Sequence, residues 1–252
     1  MKIALITGAT SGIGYAFVEH IDTLSEVDEI WVSGRRITVL EKIQSSCKTR
    51  IRTFPGDCTT KAVGHEIEHA LHTTKACISY LVISAGMGKA GPFRQSSYTD
   101  QLTMVDLNCR AVVDIIHCAL PAMGKGSTLF LLSSIAGFSP LGNYAVYAAS
   151  KAFTTSLGIS LREELRPDIT VVTVTPSSVD TPFHRISKST GIKKRYFTQK
   201  TAPEKVVQKA FADGQKHHAY SCAGRVAIAV RVLHRCIPNH LAALLGCRAL
   251  YR

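Results

Sequence analysis

Six short runs of apolar, largely β-branched residues recur along the chain, at 3–7, 29–33, 50–54, 81–84, 128–133 and 169–175. Between them lie longer stretches with helical spacing, at 12–24, 39–46, 61–73, 101–122, 147–165 and 203–214. This alternation constrains the fold more than any other feature. Strands that are apolar on both faces need cover on both faces, and strand–helix repeats supply it as a parallel sheet flanked by helices. The expected fold class is α/β: a single doubly wound (Rossmann) domain with a mostly parallel sheet. No repeat, low-complexity tract or linker divides residues 1–252. Residues 1–214 read as the core of that domain and 215–252 as an atypical basic, helical C-terminal tail. In such folds ligands bind at the carboxyl ends of the strands.

Composition narrows the class. A chain with 46% hydrophobic and 19% charged residues is not disordered. None of its eight cysteines forms a CxxC pair, so no metal site is expected and a reducing, cytoplasmic setting is. The apolar run after Lys2 is cut short by Thr7 and Gly8, too early for a secretory leader. The uncharged stretch 126–150 is interrupted by glycines, Pro140 and Asn143, and reads as a buried strand plus loop, not a membrane span. The net charge of +12 raises three partners: nucleic acid, an anionic membrane surface or an acidic ligand. No zinc-finger or RNP-type signature accompanies it, so nucleic acid is not expected.

The first strand runs straight into Thr7-Gly8-Ala9-Thr10-Ser11-Gly12-Ile13-Gly14. Glycines there permit a tight turn and close approach of backbone to a pyrophosphate, and the following helix offers free N–H groups to it. The bland alternative is a plain tight turn. Gly34-Arg35-Arg36 closes the second strand, where an NAD site would carry an acid against the ribose. Two guanidiniums and no carboxylate favour a 2′-phosphate, hence NADP(H), unless both arginines are solvated surface charges. Arg35 is the better placed, directly after the strand. Tyr147-Ala148-Ala149-Ser150-Lys151 puts a phenol and an ammonium at i and i+4 on one helix face. The ammonium is expected to lower the phenol's pKa toward neutral acid–base work. A core tyrosine beside a surface lysine is the alternative.

Taken in order, these motifs resemble the classical short-chain dehydrogenase/reductase family over about four-fifths of the chain, from Lys2 to Gly214. The likeness rests on the glycine loop, Asp57, Ser84-Ala85-Gly86, Asn108, Leu132-Ser133-Ser134, the Tyr147–Lys151 motif and Pro176-Ser-Ser-Val-Asp-Thr181. It implies that Tyr147 is the general acid/base and that Ser134 orients the carbonyl, with Ser133 as the neighbouring alternative. Lys151 would bind the nicotinamide ribose. Asn108 would hold a water in a proton relay, or serve as a helix-interior amide bonded to backbone. Asp57 would accept from the adenine amino group, or cap a turn. Gly8, Thr10, Ser11, Gly12, Ile13, Gly14, Arg35, Arg36, Ser84, Ala85, Gly86, Pro176, Val179 and Thr181 complete the expected cofactor contacts. Two departures stand out: Ser84 replaces the family's usual Asn, and Ser177 its usual Gly. The likeness also implies a homo-oligomer, dimer or tetramer.

The substrate end is less defined. Segment 183–200 carries His184, Arg185, Lys188, Lys193, Lys194, Arg195 and Lys200 with no acid, which suits an anionic substrate or a solvated loop equally. A strand candidate at 219–222 precedes a tail in which Val226, Val230, Leu233 and Ile237 share a helical face, with Arg231 and Arg235 roughly opposite. After Pro238, Leu241, Leu244 and Leu245 resume the apolar pattern. Such a tail covers the cleft, makes an interface or makes peripheral contact with an anionic membrane. The leading expectation is a small-molecule ketone/secondary-alcohol oxidoreductase on a hydrophobic, steroid- or lipid-like substrate. The alternatives are a 3-oxoacyl thioester reductase and a non-catalytic NADP(H)-binding or membrane-associated module.

Overall fold

The computed structural model describes residues 1–183, 200–234 and 236–250, without the side chains at 225 and 245–250. Its chain runs β1 (Lys2–Thr7), α1 (Gly12–Leu24), β2 (Glu29–Gly34), α2 (Ile37–Ser46), β3 (Arg50–Pro55), α3 (Lys61–Thr74) and β4 (Cys77–Ile83). Then come α4 (Tyr98–Val105), α5 (Ala111–Ala119), β5 (Met123–Leu132), α6 (Ala145–Glu164) and β6 (Ile169–Val174). The last elements are α7 (Pro203–Gln215), β7 (Tyr220–Ser221), α8 (Arg225–Leu233) and α9 (Asn239–Leu250).

The strands form one seven-stranded sheet, ordered β3-β2-β1-β4-β5-β6-β7, and every pairing is parallel. The sequence explains why it is two-sided: β2 is buried throughout and β1 from its second residue on. One apolar layer holds Phe17, Ile21, Leu40, Val206 and Val207. The opposite layer holds Ile67, Leu71, Val112, Ile115 and Ile116. The doubly wound α/β expectation therefore holds. The order in which successive strands are added reverses between β1 and β4, and the strand ends Thr7, Ile83, Leu132 and Val174 open into one crevice there.

Beyond shifts of one or two residues, three elements differ from what the sequence pattern predicts. β4 starts at Cys77 and ends before Ser84, with an irregular register near Ser79 that blurs its pattern. β5 starts at Met123, because Gly124 and Gly126 extend the ladder without an apolar signal. The expected helix 101–122 is α4, a π-helical turn at Asp106–Arg110, α5 and a terminal 3-10 turn. The wider turn buries Leu107 and Asn108. A single inserted residue leaves helical periodicity almost intact, so the sequence pattern does not show it. Among the described residues no helix is long and apolar enough to cross a membrane.

Candidate active site

The crevice is built first from backbone. Gly8 and Gly12 sit at φ +67° and +59°, a region costly for other residues. A Cβ at Gly8 would lie 2.7 Å from the Ala85 nitrogen, and one at Gly14 only 2.4 Å from the Gly8 oxygen. Thr7 Oγ1 accepts from the nitrogens of Ser84 (3.1 Å) and Ala85 (3.2 Å), tying the ends of β1 and β4 together. The Thr7 hydroxyl thus accepts from the backbone nitrogens of two successive residues where serine stands in place of the family's usual asparagine. Ser11 precedes α1 without a side-chain cap, and the first turn carries no acid. Unclaimed amides therefore face a cleft lined by Gly8, Thr10, Ser11, Gly12 and Ile13. That donor set, with no carboxylate in it, fits a pyrophosphate.

The two arginines separate. Arg35 is exposed, lines the cleft and lies 3.8 Å from Asp57 Oδ2. The Arg36 guanidinium donates instead to the Thr10 carbonyl oxygen and so braces the glycine loop. Asp57 lines the cleft, and its Oδ1 accepts from the Thr59 nitrogen at 2.9 Å, so it also caps the turn before α3.

At the other end, β5 delivers Ser133 and Ser134, and α6 delivers Tyr147 and Lys151. Ser133 Oγ donates to the Lys151 carbonyl oxygen (2.9 Å) and pairs with Thr155 Oγ1 (2.7 Å), so it is occupied within the packing of α6. Ser134 Oγ accepts from the Ala136 nitrogen at 3.2 Å, and Ser134 and Tyr147 line the same stretch of the cleft. Lys151 Nζ donates to the Leu132 carbonyl oxygen at 2.9 Å and lies 6.0 Å from the Tyr147 ring centroid. Tyr147 and Lys151 are both buried.

The expected lowering of the Tyr147 pKa is not what the geometry gives. Burial disfavours the phenolate and pushes the hydroxyl up to about 12, against a smaller downward pull from Ser134. Burial likewise brings the Lys151 ammonium down to about 8.

Asn108 is fully buried, and its amide is engaged on three sides. Nδ2 donates to the Met87 carbonyl oxygen (2.8 Å) and to Ser150 Oγ (2.9 Å), while Oδ1 accepts from the Met87 nitrogen (3.0 Å). Its own carbonyl oxygen accepts from Thr154 Oγ1 at 3.2 Å. The side chain thus clamps the loop after β4, which agrees with the backbone-bonded alternative for this residue. Gly86 fits tightly here, since a Cβ would lie 3.2 Å from Asn108 Oδ1 and 3.3 Å from Lys151 Nζ.

After β6, the Pro176 carbonyl oxygen accepts from the Ile135 nitrogen at 3.2 Å. Val179 forms a parallel bridge with Thr201, and Thr181 packs against Gly12. Ser177 lines the cleft without a positive φ, so the serine replaces glycine there without strain. Of the basic segment, residues 184–199 lie outside the described residues, and Lys200 pairs with Asp180 at 2.9 Å.

The cleft encloses about 610 Å³. Beyond Tyr147 its walls become apolar: Leu141, Tyr144, Phe183, Val230, Leu233 and Ile237. Tyr144 stacks on Tyr147 with centroids 4.3 Å apart, and Phe183 lies 5.8 Å from the same ring. Neither neighbour was anticipated, though Tyr144 lies one helical turn before Tyr147. The expected tail face is partly realised. Val230, Leu233 and Ile237 reach the cleft, whereas Val226 does not line it. α8 ends at Leu233, so Ile237 arrives from the following turn and not from the same helix. The tail is anchored by His234 stacked on Phe138 at 5.0 Å and by Arg231 4.4 Å over Tyr220. Arg235 and the Leu245 side chain lie outside the described residues.

The family model for short chain dehydrogenase matches residues 2–190. The chain belongs to this family. A short-chain dehydrogenase of this kind is an oxidoreductase whose fold binds nicotinamide cofactors. Sulfoacetaldehyde reductase 2 of Chromohalobacter salexigens is 31% identical over 195 residues, covering 72% of this chain and 74% of its own. A short-chain dehydrogenase from Sphingobium yanoikuyae in complex with NADPH superposes with a TM-score of 0.78 at 22% identity, over 94% of this chain and 93% of that one. One from Burkholderia phymatum in complex with NAD gives 0.78 at 21% identity, over 93% of each chain.

Proposed function

We propose that this short-chain dehydrogenase interconverts a ketone and a secondary alcohol with NADP(H), on a hydrophobic substrate. The observation that carries the reading is that Ser134, Tyr147 and buried Lys151, whose Nζ is held by the Leu132 carbonyl oxygen, line one cleft where the glycine-lined crevice meets an apolar wall. When bound, the cofactor supplies or accepts a hydride. Gly8, Thr10, Ser11, Gly12, Ile13 and Gly14 would hold its pyrophosphate, Asp57, Ser84, Ala85 and Gly86 its adenosine side, and Lys151, Pro176, Val179 and Thr181 its nicotinamide side. Arg35 would pair with a 2′-phosphate, and Arg36 would keep the loop in shape for it.

Tyr147 acts as the proton donor. With a pKa of about 12 its hydroxyl is fully protonated at neutral pH, the form that carbonyl reduction needs. Ser134 orients the carbonyl oxygen toward that proton. Asn108 is a positioning residue, holding Met87 and Ser150 around the site. The hydrophobic substrate class is supported by the wall from Leu141 to Ile237 and by the enclosed volume. The sulfoacetaldehyde reductase likeness favours a second reading, a small anionic aldehyde or thioester met by the basic segment. A homo-oligomer is supported by exposed Leu102, Val105, Val113 and Phe153 on α4, α5 and α6. A cytoplasmic setting rests on cysteine usage alone.

The test is a panel of apolar ketones, acyl thioesters and sulfonated aldehydes with NADPH and NADH, followed by nicotinamide absorbance. Turnover of bulky ketones with NADPH is expected. Turnover confined to anionic aldehydes or thioesters would replace the substrate reading, and an NADH preference would remove the role given to Arg35.

A further inference from the structure

After Asp213 the chain has no acid and six Lys/Arg residues, Lys216, Arg225, Arg231, Arg235, Arg248 and Arg252. That is half of the net +12 in the last 39 residues. The same stretch also exposes apolar side chains. On α8, Ile228 and Val232 are 51% and 61% exposed, one turn apart, while Ala227, next to Ile228 on another face, is fully buried. On α9, Leu241 and Leu244 are 43% and 46% exposed, again one turn apart. A surface helix of a water-soluble protein turns its apolar stripe inward and its polar face out. α8 is apolar both toward the cleft, through Val230 and Leu233, and toward the outside. Exposed apolar pairs repeated on two successive helices mark a surface that something covers.

Charge decides between occupants. A second copy meeting this face symmetrically would set one acid-free cationic tail against another, with no carboxylate in either to pair. An anionic lipid surface meets both properties: apolar side chains enter the acyl boundary and cations sit near the headgroups. Helices of nine and 12 residues are too short to cross a bilayer, which needs about 20 residues. They have the length of elements that lie in its interface.

We propose that α8 and α9 form a docking face for anionic lipid bilayers, with the apolar end of the cleft opening beside it. Resting on the hydrophobic-substrate reading above, the face would let a lipid-dissolved carbonyl compound enter past Val230, Leu233 and Ile237 without crossing water.

The experiment is flotation of the full chain with vesicles of phosphatidylcholine alone and of phosphatidylcholine with phosphatidylglycerol, at low and high salt. Binding to the anionic vesicles, weakened by salt, is expected, with little binding to the neutral ones. The double variant Ile228→Asp, Val232→Asp should partition at least tenfold less, and Leu241→Ser, Leu244→Ser should weaken binding by a smaller factor. Both should keep the wild-type melting temperature and unchanged turnover of a small water-soluble ketone. No binding to anionic vesicles at low salt would overturn the proposal, as would equal binding by the variants. Conversion of a dimer into a monomer by Ile228→Asp, Val232→Asp would overturn it in favour of a subunit interface. Failure to turn over any ketone, with vesicle binding intact, would remove the substrate reading and leave the docking face standing.

Discussion

At the floor of the cleft, Gly8 and Gly14 hold backbone close against backbone and Gly12 sits against the Thr181 side chain, whereas at the roof Val230, Leu233 and Ile237 present side chains to the cleft. The floor is a set of requirements that few residues can meet. An added Cβ at Gly14 would meet the Gly8 oxygen at 2.4 Å, so the residue there is dictated by geometry. The roof tolerates any apolar residue of suitable size, and its packing depends on anchors far away in the chain, Phe138 and Tyr220. The difference teaches where chemistry and where selectivity reside: common chemistry in the part the backbone dictates, substrate choice in the part side chains can vary.

The sharpest way to break this division is at the hydroxyl that joins the halves. Tyr147→Phe keeps the ring and its stacking on Tyr144 but removes the proton. We expect kcat to fall by about 10²–10⁴, the range of general acid catalysis, with NADPH affinity by fluorescence titration nearly unchanged. Retained turnover would mean the proton comes from elsewhere.

Next in size is Arg35→Ala. Losing a charge-assisted phosphate contact should reduce the NADPH over NADH preference in kcat/KM by about 1.5–3 kcal/mol. Arg36→Ala, which removes the brace on the Thr10 carbonyl oxygen, should weaken both cofactors alike. If the two variants behave identically, the separation of their roles fails.

A pH profile tests the electrostatics of the floor. Burial lowers Lys151 to about 8, so its ammonium is present below that pH and lost above it. Tyr147, raised to about 12, keeps its proton throughout. Reductive kcat/KM should therefore be flat below pH 8 and decline above it, by up to tenfold per unit. Oxidation, which needs the phenolate, should instead gain from rising pH. A reductive optimum well above pH 9 would contradict this assignment.

The smallest effect belongs to the roof. Val230→Asp with Leu233→Asp should raise KM for a bulky ketone by roughly tenfold, at ~0.8 kcal/mol per buried methylene lost, and leave NADPH affinity little changed. Equal loss of cofactor binding would show that the roof is part of the core and not a separable wall.

Much of the floor was readable from residue types alone, and the reasons are local. A glycine loop between a strand and a helix, and a Tyr and Lys one turn apart, work through spacing that the chain itself imposes. The two-sided sheet follows equally from runs with no polar alternation. Other features depend on elements distant in sequence. That Ser133 is tied into the packing of α6 follows from its bonds to the Lys151 carbonyl oxygen and Thr155. The clamp made by Asn108 depends on a π-helical turn that leaves no trace in the apolar period. The direction of the Tyr147 pKa was misjudged because proximity of a lysine can be read from spacing, whereas desolvation is a sum over everything packed around the phenol.

The sequence by itself determined the strand–helix order, the parallel sheet, the position of the glycine loop and the one-turn spacing of Tyr147 and Lys151, since each rests on contacts within a few residues or on one repeating period. Tertiary structure alone decided which arginine faces the cleft, which serine is tied into α6, how burial sets the two pKa values and how the tail forms a roof. Those outcomes depend on which side chains from β2, β5, α6 and α8 come within hydrogen-bonding or packing distance, and that distance is fixed only when the sheet and its two layers have closed around them.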